Sequence, residues 1–202
     1  MPRAPRYSLR LAIGLAAAVL AGAGLRWISC ANGAEPVKDE AMLKIQFMHY
    51  VAQYAVWPKE ALSPNDRQFV LGVLGPNPFG EKLENYFKGK SVKGRPFLVK
   101  SFETVEEVLG SLQTNQGCQM LFISSSEKSN FGEILKHLED ISILTISDGD
   151  GFVQKNGMIY MFINQSGEIS GKLGWDINPQ AMKKVGLQID PFFIEKARKS
   201  TH

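Results

Sequence analysis

The chain has 202 residues, 44% of them hydrophobic, with 23 Lys/Arg against 20 Asp/Glu and a formal charge of +3. Four of the basic residues and none of the acidic ones fall in residues 1–34, so the remainder carries −1 and a basic nucleic-acid footprint is excluded. The 168 residues after position 34 suit one domain, large enough to bury a core without disulfide staples, and Cys118 is the only cysteine among them.

In chain order, Arg3, Arg6 and Arg10 precede the small-apolar run Leu11–Leu25, and no acidic residue stands before Glu35. This is the charged and apolar pattern of a secretory signal peptide, and the run is shorter than the roughly 20 residues of a spanning helix. Cleavage after Ala31 places Ser29 and Ala31 at the small-residue positions; cleavage after Ala34 places Asn32 at minus three. We therefore expect a signal peptide at 1–34 and one α/β domain at 35–202. The competing readings are an uncleaved anchor extended by Trp27 and Ile28, and lipidation at Cys30, whose preceding Trp-Ile-Ser lacks the usual leucine.

Lys38–Val56 has helical spacing, with Met42, Ile45, Met48 or His49, and Ala52 on one stripe, and Trp57-Pro58 stops it. Gln68–Leu74 is a short apolar run that predicts a buried strand. The turn at residues 75–80 leads to a helix over Gly80–Phe87, Gly89–Gly94 reads as a polar loop, and Arg95–Phe102 as a second strand. Thr104 with Glu107 forms a capping box for a helix to Leu112. Cys118–Ser124 is a third strand, Ser125 or Ser126 caps a helix to about Leu138, and Ile141–Ser147 is a fourth strand. Strands alternating with helices predict an α/β three-layer sandwich, its sheet mostly parallel and covered on both faces. After Ser147 the Gly/Asp turn reads as the switch from a parallel sheet to antiparallel pairing, and Met158–Asn164 and Glu168–Asn178, joined through Gln165, Ser166 and Gly167, predict a C-terminal antiparallel hairpin. Pro179 opens a helix through Val185, and Pro191–Lys199 forms a last one.

The residues offer little catalytic chemistry. GPNPFG (75–80) has the gap of a phosphate loop, but Glu81-Lys82 replaces the required Lys-Ser/Thr, and two prolines remove amide donors. SDGDG (147–151) lacks the third oxygen ligand and distant glutamate of a calcium loop. His49, His137 and His202 have no metal-ligand spacing, and Ser124–Ser126 lack the Gly-x-Ser-x-Gly elbow. Glu168 and Asp176 share a strand face but stand too far apart for an acid/base pair. The expectation is no enzyme, no cofactor and no metal. Cys118 reads as a buried small hydrophobe, with an intermolecular disulfide or redox role as the alternative.

Two candidate surfaces emerge. Phe47, Tyr50, Tyr54 and Trp57 form an aromatic group that is either core and rim of a packed helix or a partner-binding patch. Asn77, Phe79, Ser124, Ser125, Asp148 and Phe152 gather at the carboxyl ends of the parallel strands, where open α/β sheets bind ligands. This edge is the default pocket for a small molecule.

The chain also resembles the YfiR family of exported bacterial proteins over about Ala41–Ala197. The matching pieces are the aromatic helix ending Trp57-Pro58, VLGPNPFG (73–80), KSVKGRP (90–96), Cys118–Ser124, LTISDGDGFVQKNGMIYMFI (144–163), WDIN (175–178) and VGL (185–187). The resemblance implies a periplasmic α/β domain, often dimeric, without catalytic activity. It further implies an inner-membrane signalling partner, a diguanylate cyclase or sensor kinase, with membrane contact only through that partner or an uncleaved leader. The tail Pro191–Ala197 keeps apolar Phe192, Phe193 and Ile194 but is less leucine-rich than the pattern, and four single positions also depart from it. Leu71 stands near where many relatives have a cysteine, Asn156 replaces a glycine, and Trp175-Asp176 replaces the usual Phe-Glu.

Overall fold

The computed structural model describes residues 39–62, 67–113, 117–165 and 171–200; the signal-peptide reading of 1–34 lies outside the described residues. The first helix, α1 (Glu40–Tyr54), is capped by Asp39, whose Oδ1 accepts from the Met42 amide at 3.3 Å. It ends two residues earlier than its periodicity predicts. Ala55–Val56 are already extended as β1, pairing antiparallel with β9 (Gln188–Ile189), a long-range contact that no local pattern announces.

The main sheet has seven strands: β2 (Phe69–Leu74), β3 (Ser91–Val92), β4 (Arg95–Phe102), β5 (Met120–Ile123), β6 (Leu144–Ser147), β7 (Ile159–Ile163) and β8 (Leu173–Ile177). Their order is β3-β4-β2-β5-β6-β7-β8. β4 to β7 pair parallel, while β3 and β8 add antiparallel edges. Alternation along the buried strands divides the core. Phe69, Leu71, Val73, Met120, Phe122, Leu144, Ile146, Ile159 and Met161 face one side. That side is covered by α1, α2 (Glu81–Phe87), α5 (Pro179–Lys184) and α6 (Pro191–Ser200). Val70, Leu74, Leu121 and Ile123 face the other, covered by α3 (Val105–Leu112) and α4 (Phe131–Leu138). This is the expected three-layer α/β sandwich.

Several local readings change. The 89–94 stretch is not a plain loop: Val92 pairs with Arg95 across Lys93 and Gly94, at φ 49° and 79°, in a two-residue hairpin. The 3-10 turn Ser125–Asn130 before α4 is capped by Ser124, not Ser125 or Ser126. The Gly/Asp turn after Ser147 does not switch the sheet to antiparallel pairing, because β6 and β7 remain parallel and the switch comes between β7 and β8. In that hairpin Asn164 donates to the Lys172 carbonyl at 2.9 Å and accepts from the Gly171 amide at 2.8 Å. Among the described residues β7 ends at Ile163 and β8 begins at Leu173. Ser166, Gly167 and Glu168 lie outside the described residues.

Residues 144–163 show why the fingerprint is built as it is. A Cβ at Gly157 would meet the Phe152 ring at 2.3 Å, and Phe152 is fully buried edge-on to Phe131. Asn156 beside it adopts a left-handed φ of 71°, which Asn accepts more readily than most residues.

Candidate functional site

The aromatic group divides. Phe47 shares a helical stripe with Tyr50 and Tyr54 by spacing, yet Trp175 and Phe193 close over it with ring centroids 5.1 and 5.6 Å away. Trp57 is also core: it packs edge-on to Phe69 at 5.2 Å, and its Nε1 donates to the Gln119 carbonyl at 3.0 Å. Tyr50 and Tyr54 are 60% and 49% exposed, and Val56 and Phe192 are exposed with them at 50% and 61%. Near Tyr50, the His49 ring lies 3.1 Å (Nδ1) from the Tyr86 hydroxyl, and Lys90 stands over the Tyr86 ring at 4.6 Å. Burial, and secondarily Lys90, hold His49 below the ordinary histidine range, which favours the neutral ring at pH 7.

At the carboxyl ends of the parallel strands the expected residues do come near one edge, but most are engaged in shaping the chain. Asn77 Oδ1 accepts from the Phe79 amide at 2.9 Å and its Nδ2 donates to the Gly80 carbonyl, closing the turn. Phe79 is buried against Phe122, and Phe152 against Phe131. Ser124 is buried, its Oγ accepting from Ser126; Ser125 is exposed. Ser147 Oγ donates to the Ile123 carbonyl and accepts from the Gly149 amide, bracing the start of the turn.

Asp148 is different. Its Oδ2 pairs with Lys44 Nζ at 2.7 Å, the two side chains 9% and 18% exposed, while its buried Oδ1 has no partner among the described residues. Lys44 was not foreseen. The available signal was its position four residues before buried Met48, a charge on an apolar stripe. On the other face of the sheet, Tyr160 and Asp176 stand opposite each other across β7 and β8. Burial pushes both groups up, and the nearby Asp150, Asp176 and Asp148 carboxylates push the Tyr160 phenol further.

A cleft of about 230 Å³ lies elsewhere, at the amino ends of β6 and β7 between α4 and α5, lined in part by Thr145, Asn156, Asn178 and Gln180. No sequence pattern marked it, because its walls come from four separate segments.

Cys118 is a buried free thiol, and burial pushes its pKa up to about 12. The thiolate is the reactive species, so we expect Cys118 to resist iodoacetamide at pH 8 in the native chain and to react after denaturation. Peptide mass mapping separates it from Cys30. Rapid native labelling of Cys118 would contradict its burial.

Among the described residues no three His, Cys, Asp or Glu side chains converge as metal ligands, and no helix is long and apolar enough to cross a membrane. Compared with known families, the sequence matches the YfiR/HmsC-like profile over residues 41–198, from the first turn of α1 to the last turn of α6. The chain belongs to the YfiR/HmsC-like family. A search of the curated proteins returns no match. The YfiR/HmsC-like domain thus comprises the whole sandwich, including the β1–β9 ribbon that ties the end of α1 to the segment between α5 and α6.

Proposed function

We propose that this YfiR/HmsC-like protein is an exported, non-enzymatic regulator that acts in the periplasm by binding an inner-membrane signalling protein, a diguanylate cyclase or a sensor kinase. Family membership across residues 41–198 carries this reading. Conversion of GTP to cyclic di-GMP belongs to the partner. The leader pattern at residues 1–34 supports export. The partner surface is centred on Tyr50 and Tyr54, which with Val56 and Phe192 are the exposed large hydrophobic side chains among the described residues. Aromatic side chains that are exposed in the free protein and desolvated on binding are the usual energetic anchors of interfaces.

The test is capture of the chain's membrane partner from solubilised envelopes, followed by assay of its cyclase or kinase activity with and without the purified chain. We expect Tyr50→Ala and Tyr54→Ala each to weaken capture by about 2 kcal/mol, roughly thirtyfold, with little change in melting temperature. A captured signalling enzyme whose output ignores the chain, or capture indifferent to both tyrosines, would remove the basis for this surface.

A further inference from the structure

We propose that the cleft between α4 and α5 is a binding site for a small uncharged molecule with an apolar body and an amide-type edge. This goes beyond the regulatory reading and does not depend on it. Size comes first: the cleft holds about 230 Å³. A dry cavity of roughly 150 Å³ takes benzene, so there is room for roughly ten non-hydrogen atoms, less than in the roughly 300 Å³ and larger sites of drug-sized ligands.

The chemistry of the lining then selects the class. Leu135 and Leu138 supply an apolar wall. At the buried end, Thr145 is 2% exposed and its Oγ1 accepts from the Met158 amide at 3.2 Å, which leaves the hydroxyl hydrogen to donate into the cleft. Asn178 Oδ1 is engaged by the Ala181 amide at the start of α5, which leaves its NH2 group as a second donor. Two donors, one buried on Thr145 and one half-buried on Asn178, match a carbonyl oxygen. At the rim, the exposed side-chain amides of Asn156 and Gln180 make no hydrogen bond with any described residue, and each offers both a donor and an acceptor. They match the remaining N–H of the same edge.

Charge excludes the nearest alternative. Lys184 Nζ is already held by Glu139 at 3.0 Å and Asp140 at 3.1 Å, so these three groups leave a local excess of negative charge beside the cleft. A carboxylate of the same shape would be repelled, and a bare cation has no acceptor for the inward donors.

The test titrates the isotope-labelled full chain with benzamide, benzoate and ethylbenzene and follows backbone amide signals by NMR. Benzamide should give saturable shifts at Asn156, Met158 and Ala181, with benzoate and ethylbenzene at least tenfold weaker. Gln180→Ala, at an exposed position, should weaken benzamide at least threefold without moving the melting temperature, and Ala181→Met should fill the cleft and abolish the shifts. Three results overturn the proposal: no saturable benzamide shift, equal response to ethylbenzene or benzoate, or indifference to Gln180→Ala. If Ala181→Met fails to fold, Gln180→Ala alone decides. No membrane partner is present, so a negative result leaves the regulatory reading untouched.

Discussion

Trp57→Ala is expected to destabilise the chain by about 4 kcal/mol, the range for removing a buried aromatic side chain. Trp57 is 5% exposed, stacks edge-on against Phe69 and donates through Nε1 to the Gln119 carbonyl. Gln119 is a junction: its side-chain Oε1 accepts from the Val70 amide at 2.7 Å, and its carbonyl also accepts from the Leu144 amide at 3.0 Å. Loss of the indole therefore opens a cavity where β2, β5 and β6 begin, although the Gln119 carbonyl keeps one bond. For a chain of this size the melting temperature should fall by roughly 10 °C, since each kcal/mol is worth about 2–4 °C. Trp57→Phe keeps a ring against Phe69 and should cost less than half as much. Thermal and urea unfolding measure both. Partner capture well below the transition should persist in Trp57→Ala and fail in Tyr50→Ala. The reverse pattern would return Trp57 to the interface.

The second large effect falls on the pair joining α1 to the end of β6. Lys44→Met leaves the Asp148 carboxylate with neither oxygen partnered by a described residue in a site only 9% exposed. Removing one member of a fully buried pair costs roughly 3–5 kcal/mol; because Lys44 keeps some contact with water, about 2–3 kcal/mol is expected here. Lys44→Met combined with Asp148→Leu should recover most of that loss, since no unpaired charge stays behind. Additive losses in the double variant, read from urea midpoints, would mean that the two side chains act independently. The pair also bears on function. α1 carries Lys44 on its packed side and Tyr50 and Tyr54 on its exposed side, so loosening the anchor is expected to weaken partner capture indirectly.

Much of this was legible in the order of residues. The apolar runs at 69–74, 120–123 and 144–147 are buried at every position, as strands covered on both faces must be. Thr104 caps α3 through the bond its spacing announces, and Pro179 opens α5 as read, with Asn178 supplying the cap. The candidate sites were less legible. Phe47 and Tyr54 stand on one helical stripe, and only the arrival of Phe193 and Trp175 from distant segments separates buried from exposed. Asp148 was visible as an acidic turn residue, but its partner lies 104 residues away on α1.

Layer architecture, the longer helices and strands and the family are thus readable from the residues in order, because periodicity, capping and turn chemistry are local, whereas the short strands β1, β3 and β9 are not. Tertiary structure alone decided which aromatic side chains meet solvent, that Lys44 neutralises Asp148, and that a cleft opens between α4 and α5. Each of these depends on how segments far apart in the chain pack against one another. Burial and charge pairing belong to the space between elements, and no local pattern within one element encodes them.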